Sequence, residues 1–272
     1  MNPFSYISYS LLKKTVFAPA PREDVTVVSY NVRYFNHNAD HGKCHWYVRA
    51  KYVLCEIEKL APDVLCLQEV HPPQFAFLKK HLAGYEPVIG YRENRGVHSE
   101  ACPIFYNAAR FTLLDSGTFW LSDTPDVQSK YEDSWHYRIA TFVKLRDKDG
   151  TVVTVFNTHP DYRVEEVRIR QLLVLADRVR KAEGKVIVTG DMNAVKGEKS
   201  LEPFEEMLRD SKDFRGDVFG ATFNGFGEKP EEWIDFIYLP KDATLIDTGI
   251  DKTLYDGIYP SDHFPIWAKV KF

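Results

Sequence analysis

Four short aliphatic runs, each followed by polar residues, constrain the fold of this chain more than any other feature. They span residues 25–30, 64–67, 152–156 and 186–189. Near-continuous apolar runs of this length are typical of strands that are buried on both faces. Between them, apolar residues recur at helical spacing over 50–60 and 169–179, with charged residues on most of the opposite face. The chain is therefore predicted to be an α/β protein.

The middle and the end of the chain have a different pattern, in which strands follow one another without helices. Segments 101–106, 110–121 and 137–147 are predicted to be consecutive strands joined by turns, and 235–272 is again rich in strand-forming residues. Buried runs together with consecutive strands require more than one sheet. We therefore expect two packed mixed β-sheets with helices outside them.

The length and composition favour one domain preceded by a short arm. No linker-like stretch divides the 272 residues, of which 44% are hydrophobic, so we expect a single domain over 25–272. The arm, 1–24, has no acidic residue in its first 22 positions. A disordered or docked arm and a transit peptide are both compatible with this composition. The sequence contains no run of about 18 apolar residues, so no membrane-spanning helix is predicted. We expect a cytoplasmic protein unless the arm is a transit peptide.

The net charge and the cysteines limit which ligands and metal ions the chain is expected to bind. The net charge of −4 and the pI of about 6.2 weaken the case for a nucleic-acid partner without excluding it. The four cysteines show no CxxC spacing, which favours reduced, packed thiols. A cluster at His37, His41, Cys44 and His45 fits no familiar zinc spacing, so we do not predict zinc there.

Polar residues directly follow predicted buried strands at four places and precede the last predicted strand at a fifth. They are Asn31, Gln68 with Glu69, the segment 157–161, the segment 190–193, and the segment 261–263. Open α/β sheets bind ligands at the carboxyl ends of their strands, so these residues are candidates for one site. Taken singly, each is better explained as a turn former or as a solvated or structural residue at a strand end than as a site residue.

Four acidic residues in these segments suggest a cation. If Glu69, Asp191, Asp235 and Asp262 converged, each pair about 4 Å apart would repel by roughly 1 kcal/mol in water and about 4 kcal/mol at an effective dielectric of 20. Carboxylates together with the Asn31 amide are all-oxygen ligands, which favours Mg²⁺ or Mn²⁺ over zinc.

Two histidines also lie at predicted strand ends. His263 has a candidate partner in Asp235, which stands in the apolar context of 234–237, and Glu100 is the analogous candidate for His159. A carboxylate bonded to an imidazole fixes its tautomer and raises its pKa. A purely structural role for either histidine remains the alternative.

Six motifs in order resemble the endonuclease/exonuclease/phosphatase superfamily. They are SYNVR at 29–33, LQEV at 67–70, NTH at 157–159, GDMN at 190–193, IDFIY at 234–238 and SDHFP at 261–265. The segment GTFWLS at 117–122 resembles an uncharacterised, mainly bacterial hydrolase branch of that superfamily. The resemblance spans about 25–272 and implies the DNase I-like fold, a four-layer α/β sandwich.

The resemblance also implies a role for each candidate residue. Asn31 and Glu69 would bind the metal ion, with Asp262 nearby. Asp191 would orient or deprotonate the attacking water, and Asn193 would hold the scissile phosphate. The remaining catalytic candidates are two imidazole–carboxylate pairs. His263, steadied by Asp235, would contact the phosphate, and His159, paired with Glu100, would do the same or help protonate the leaving oxygen.

The implied activity is Mg²⁺-dependent hydrolysis of a phosphate ester by in-line attack of water, with Mn²⁺ as a substitute. Phosphodiesterase, nuclease and phosphatase activities all stay open, and so does a catalytically idle relative that binds a phosphorylated ligand or a protein partner.

Three further residues are candidates for substrate binding. Arg92 and Arg95 would clamp a second phosphate or a nucleotide backbone, and Trp120 would stack on a base or sugar. The alternatives are that the two arginines belong to a solvated loop and that Trp120 is a core residue. We expect a monomer.

Overall fold

The computed structural model describes residues 3–214, 220–228 and 232–272. The helices are α1 (Pro3–Ser10), α2 (Trp46–Leu60), α3 (Pro72–His81), α4 (Glu165–Lys181) and α5 (Glu202–Met207). The strands are β1 (Val16–Phe17), β2 (Val25–Asn31), β3 (Val64–Gln68), β4 (Leu82–Ala83), β5 (Tyr85–Val88), β6 (Ile104–Asn107), β7 (Thr112–Trp120), β8 (Ile139–Arg146), β9 (Val152–Thr158), β10 (Lys185–Asp191), β11 (Leu208–Asp210), β12 (Asp235–Pro240), β13 (Thr244–Ile250) and β14 (Ile266–Lys271).

Two six-stranded mixed sheets form the centre of the molecule. The first has the order β13-β14-β2-β3-β6-β5, and the second has the order β11-β12-β10-β9-β8-β7. Each contains one parallel pair in the middle, β2 with β3 and β9 with β10, between antiparallel neighbours. The predicted pair of packed mixed sheets is confirmed.

In the described part of the chain, three apolar clusters hold the layers together. The inner cluster joins the facing surfaces of the two sheets and includes Val27, Val155 and Ile187. The other two lie under the helices, one between α2, α3 and the first sheet, the other between α4, α5 and the second. The central strands are apolar on both faces because each face meets a different cluster, which produces the continuous runs in the sequence.

The predicted helices are observed but begin earlier than their apolar periodicity indicates. Helix α2 starts at Trp46, where the preceding His45 side chain accepts a hydrogen bond from the Tyr47 N–H. It ends at Leu60 because Ala61 takes a left-handed conformation (φ 43°) just before Pro62. In α4, acidic residues occupy the first turn and basic residues the last, as the helix dipole favours.

One predicted strand is shorter than expected. The strand predicted over 101–106 begins at Ile104. Ala101 forms only isolated bridges, with Val70 and Tyr91, and Pro103 has no N–H to offer a ladder. Helix α3 was not predicted, because its apolar periodicity is weak; it begins at a capping box between His71 and Gln74.

The N-terminal segment packs against the domain in the residues that are described. Helix α1 contacts α2, and Tyr9 stacks on Phe77 at 4.8 Å between ring centroids. β1 pairs in parallel with β4. The four cysteines are free thiols, and across the described residues no helix is long and apolar enough to cross a membrane.

Candidate active site at the strand ends

The carboxyl ends of the two parallel pairs meet at one edge of the sandwich. Asn31 is the last residue of β2, Asp191 is the last of β10, and Glu69 directly follows β3 after Gln68. The Asn31 Nδ2 donates to Asp191 Oδ2 at 2.9 Å and to Glu69 Oε1 at 3.2 Å. Polar residues from both sheets therefore converge, which the separate strand-end motifs could only suggest.

A glycine allows this convergence on the second sheet. A Cβ on Gly190 would lie 2.3 Å from the Thr158 carbonyl oxygen, so any other residue would push β10 away from β9. Beyond Asp191 the chain turns at Asn193, which has a left-handed φ of 49° and donates its N–H to Asp191 Oδ1 at 3.1 Å. The Asn193 side chain donates to the Pro160 carbonyl at 3.0 Å.

Both candidate histidines face the Asp191 carboxylate. His263 Nε2 and His159 Nε2 each lie 3.6 Å from Asp191 Oδ2. His263 Nδ1 lies 2.8 Å from Asp235 Oδ2, so the imidazole stands between two carboxylates. All four side chains are buried. This is the arrangement that the resemblance implied for His263 with Asp235.

Burial and the surrounding charges shift the pKa values of these groups in different directions. Burial raises the pKa of Asp191 to about 7. At His263 burial acts in the opposite sense to its neighbours, and the carboxylates of Asp235 and Asp191 prevail and raise the pKa to about 10. Burial and then the charge of Arg138 hold the pKa of His159 well below its usual value. Asp191 is thus flanked by one cationic and one neutral imidazole.

Glu69 is kept ionised. Burial acts to raise its pKa, but the imidazole of His159, the Arg33 guanidinium and the Tyr34 N–H favour the carboxylate and lower the pKa to about 2. Since His159 is itself neutral, the Arg33 guanidinium, the Tyr34 N–H and the cationic His263 imidazole are the groups that act at neutral pH. The Tyr34 N–H donates to Glu69 Oε2 at 3.0 Å.

Among the described residues, two groups of side chains at this edge could hold a metal ion. Glu69, His159 and Asp191 each offer a ligand atom, and these atoms lie within 4.8 Å of one another; the same holds for Asp191, Asp235 and His263. Asn31 presents its Nδ2 to the carboxylates, while its Oδ1 accepts the Arg33 N–H at 2.9 Å. As a metal ligand it would have to turn its amide by half a turn, because only the oxygen can coordinate.

Asp262 lies beside these groups. Its Oδ1 accepts from the Ser261 hydroxyl at 3.2 Å, and its Oδ2 is 3.6 Å from Arg33 Nη1. Asp262 belongs to neither of the two ligand groups found among the described residues. Sequence reasoning missed Arg33 as a site residue, although it lies inside the SYNVR motif.

The predicted pairing of Glu100 with His159 is wrong. Glu100 receives two hydrogen bonds from Arg92, at 2.8 Å from Nη1 and 2.6 Å from Nη2, and no hydrogen bond joins it to His159 in the described part of the chain. The two-pronged fit of a guanidinium to a carboxylate explains the preference. Glu100 still lines the same small cavity as His159.

The three predicted substrate-binding residues have different environments. Arg92 is buried and engaged by Glu100, which leaves it fixed in place. Arg95 is more than half exposed and lies 3.8 Å from Glu93. Trp120 is half-buried at the end of β7 and donates its indole N–H to the Arg92 carbonyl at 2.8 Å. Their roles toward a substrate stay predictions.

The His37 cluster has a structural explanation. His45 Nε2 lies 3.3 Å from His37 Nδ1, and the other ring nitrogen of His45 accepts from the first turn of α2. Neither histidine is part of a ligand group among residues 3–214, 220–228 and 232–272.

Comparison with known protein families and solved structures agrees with the fold described above. The model of the endonuclease/exonuclease/phosphatase family matches residues 28–263. The chain belongs to the endonuclease/exonuclease/phosphatase family. The family includes phosphoesterase hydrolases, and the predicted family and fold class are confirmed.

Solved structures of bacterial members of the family are similar over nearly the whole chain. An endonuclease/exonuclease/phosphatase from Bacteroides vulgatus is 28% identical with a TM-score of 0.84, covering 92% of this chain and 99% of that one. A mannosyl-6-phosphatase from Bacteroides thetaiotaomicron is 27% identical with a TM-score of 0.81, covering 91% and 100%.

Curated relatives match a smaller part of this chain, or this chain spans only about half of their length. The uncharacterized protein L388 of Acanthamoeba polyphaga mimivirus is 29% identical over 206 residues, which are 72% of this chain and 75% of that protein. The CCR4-Not complex 3'-5'-exoribonuclease subunit Ccr4 of Mycosarcoma maydis is 24% identical, covering 90% of this chain. The chain spans 49% of the length of that Ccr4 and 48% of the length of Drosophila melanogaster protein angel.

Proposed function

We propose that the chain hydrolyses a phosphate ester with Mg²⁺, or with Mn²⁺ in its place, by in-line attack of water. The observation that carries the proposal is the convergence on one carboxylate: Asn31, His159 and His263 all lie within 3.6 Å of Asp191 Oδ2. An acceptor fixed among donors in a buried site suits proton transfer from water next to a phosphate.

The cation would be held by Glu69 and by Asn31, turned to present its Oδ1, which leaves the Asp191 carboxylate available to accept a proton. Asp262 could bind the cation as well only if its Oδ2 exchanged its contact with Arg33 Nη1 for the ion. When bound, such an ion neutralises the phosphate charge and the repulsion among the acids. It would therefore offset the cost of holding several carboxylates together in a buried place.

The protein groups divide the remaining work. Asp191 would accept the proton of the attacking water. His263, held by Asp235, would donate from Nε2 to a phosphate oxygen, and His159 would face the leaving oxygen from the other side. Asn193 would hold the phosphate once its side chain exchanges the Pro160 carbonyl for a substrate oxygen. Positioning and charge neutralisation are the main demands of phosphoryl transfer.

The names of the relatives support phosphate esters as the substrate class. One bacterial member is a mannosyl-6-phosphatase, and the Ccr4 relatives are 3'-5'-exoribonucleases. These names include both monoesters and diesters, so family membership alone leaves the ester class open.

The test is hydrolysis by the purified chain of a phosphomonoester and a phosphodiester, each with Mg²⁺, with Mn²⁺ and with EDTA. We expect EDTA-sensitive turnover that falls at least about 1000-fold in Asp191→Ala and His263→Ala. Calorimetry should show Mg²⁺ binding that Glu69→Gln abolishes and Glu86→Gln, an exposed control on β5, preserves. Absence of both turnover and Mg²⁺ binding would instead indicate an idle relative.

A further inference from the structure

Arg138 is a buried cation without a carboxylate partner. Its side chain is 4% exposed, and across the described residues no acidic oxygen lies within the 4.0 Å of an ion pair. Its Nη1 donates to the His159 carbonyl at 3.4 Å, and its Nε is buried without a hydrogen-bond partner. A buried charge in this state is unfavourable until an anion or an acceptor compensates it.

The other buried arginines are compensated. Arg92 binds Glu100, Arg110 binds Asp147 and Arg168 binds Glu198. Arg49 has no carboxylate partner either, but it donates to the carbonyl groups of four residues: Cys44, Val32, Pro260 and Arg33. Among the buried arginines of the described residues, Arg138 therefore differs in making no ion pair and only one hydrogen bond, at 3.4 Å.

The position of Arg138 determines which groups its guanidinium N–H donors can reach. A small cavity of about 10 Å³ is lined by Arg92, Glu100, Cys102, Arg138 and His159, among others. Its volume suits one oxygen-sized group rather than a whole phosphate. Because His159 also faces Asp191 at 3.6 Å, the cavity adjoins the candidate active site on the His159 side.

A second titratable group, His136, lies close to the arginines of this cavity. His136, two residues before Arg138, is half-buried. Burial lowers its pKa to about 4, with the charges of Arg92 and Arg138 acting in the same direction. His136 is therefore uncharged at neutral pH, so the positive charge beside this cavity comes from Arg92 and Arg138, and Glu100 offsets part of it.

We propose that Arg138 binds a non-bridging oxygen of a terminal phosphate and so makes the site selective for phosphate monoesters over diesters. This inference rests on the proposed function. A monoester dianion has three non-bridging oxygens, one for the cation, one for His263 and one for Arg138. A diester has two such oxygens and a single charge, so the third position receives an ester group that cannot pair with a guanidinium. Arg92, fixed by Glu100, would support Arg138 from the same cavity.

The kinetic test compares p-nitrophenyl phosphate with methyl p-nitrophenyl phosphate, which share a leaving group. Wild type should prefer the monoester. Arg138→Gln should lower kcat/KM for the monoester by about ten- to a hundredfold, the loss of a charge-assisted hydrogen bond, and for the diester by less than about threefold. A structural role would lower both equally, which would overturn the proposal, as would a wild-type preference for the diester.

Matched lysine variants control for folding. Arg138→Lys keeps the charge and should retain part of the monoester preference if Arg138→Gln proves unstable. Arg110→Lys alters an equally buried arginine at the opposite end of β3, beside Asp63 and Asp147. It should leave the monoester-to-diester ratio unchanged, and a matching fall of the ratio in both lysine variants would overturn the proposal.

A binding measurement decides the proposal without turnover. Calorimetry with inorganic phosphate and with dimethyl phosphate, in Mg²⁺ and in EDTA, should show phosphate affinity reduced at least about tenfold in Arg138→Gln, with dimethyl phosphate binding unaltered. Equal phosphate affinity in the variant and wild type would overturn the inference. If wild type hydrolyses neither ester, the proposed function fails, while phosphate binding still tests Arg138.

Discussion

Gln68 and Asn157 join the two sheets through a buried hydrogen bond, 2.7 Å from Gln68 Nε2 to Asn157 Oδ1. The amide of Asn157 also donates to the carbonyls of Leu67 and Pro103, at 2.8 and 3.1 Å. Gln68 directly precedes Glu69, and Asn157 lies two residues before His159. This polar tie therefore fixes the offset between the sheets next to the candidate active site, where apolar packing alone would be less specific.

Asn157→Ala is expected to destabilise the fold by about 2–5 kcal/mol, because Gln68 and two carbonyl groups lose a buried partner. Urea denaturation of wild type and variant would measure the difference. The double variant Gln68→Leu with Asn157→Leu should lose less than the sum of the two single changes, since no polar partner is then left behind. A loss below about 0.5 kcal/mol, the usual range for surface substitutions, would contradict this role.

Asp235→Asn should lower kcat by about 100-fold or more with little effect on folding. The amide keeps the shape of the side chain but removes the charge that holds the His263 imidazole in place. Steady-state kinetics together with thermal unfolding would separate the two effects. Asp115→Asn, at an exposed position of β7, is the control, and unchanged kcat in Asp235→Asn would remove Asp235 from the site.

Gly190→Ala should destabilise the protein by about 1–3 kcal/mol, the usual cost of overpacking. The new methyl group would meet the Thr158 carbonyl oxygen at 2.3 Å. Because Asp191 is the next residue, separation of β9 and β10 should also reduce turnover. Denaturation and kinetics on the same preparation would check both effects, and a variant with wild-type stability would show that β10 needs no glycine here.

Glu56 makes the stability of the fold depend on pH. It is buried on the inner face of α2, and burial, with the nearby carboxylate of Asp251, raises its pKa from 4.5 to about 8. The unfolded chain ionises Glu56 near pH 4.5 while the folded chain still holds the proton. Stability should therefore fall as pH rises from about 4.5 to about 8, by at most about 5 kcal/mol.

The measurement is urea denaturation at pH 5, 7 and 9 of wild type, Glu56→Gln and Glu58→Gln. Glu56→Gln cannot ionise and should be more stable than wild type at pH 9 but not at pH 5. Glu58 is exposed on the same helix and bound to Lys14, so its variant should keep the wild-type pH dependence. The other charged or titratable groups facing Glu56 are Asp251, Lys59, Tyr255 and Tyr30. A parallel decline in Glu56→Gln would assign the effect to one of these instead.

Local sequence patterns determined most of the architecture. The buried strands were predictable because a strand between two apolar layers must be apolar on both sides, and β2, β3, β9 and β10 all follow this rule. Glu69 and Asp191 were candidates for the same reason, since a polar residue that follows such a run must be solvated or used. His263 was a candidate because it lies next to Asp262, just before the last strand. Helix α3 was not predictable in this way because its apolar face is short.

Only the tertiary structure decided how distant side chains choose their partners. Glu100 was expected beside His159, yet it binds Arg92, because a two-pronged guanidinium contact lies within reach in the folded chain. The sequence also does not show that Arg138 forms no ion pair among the described residues although Glu100 lines the same cavity. Sequence periodicity fixes which face of a strand is buried, whereas ion pairs depend on distances that only the packing of the two sheets sets.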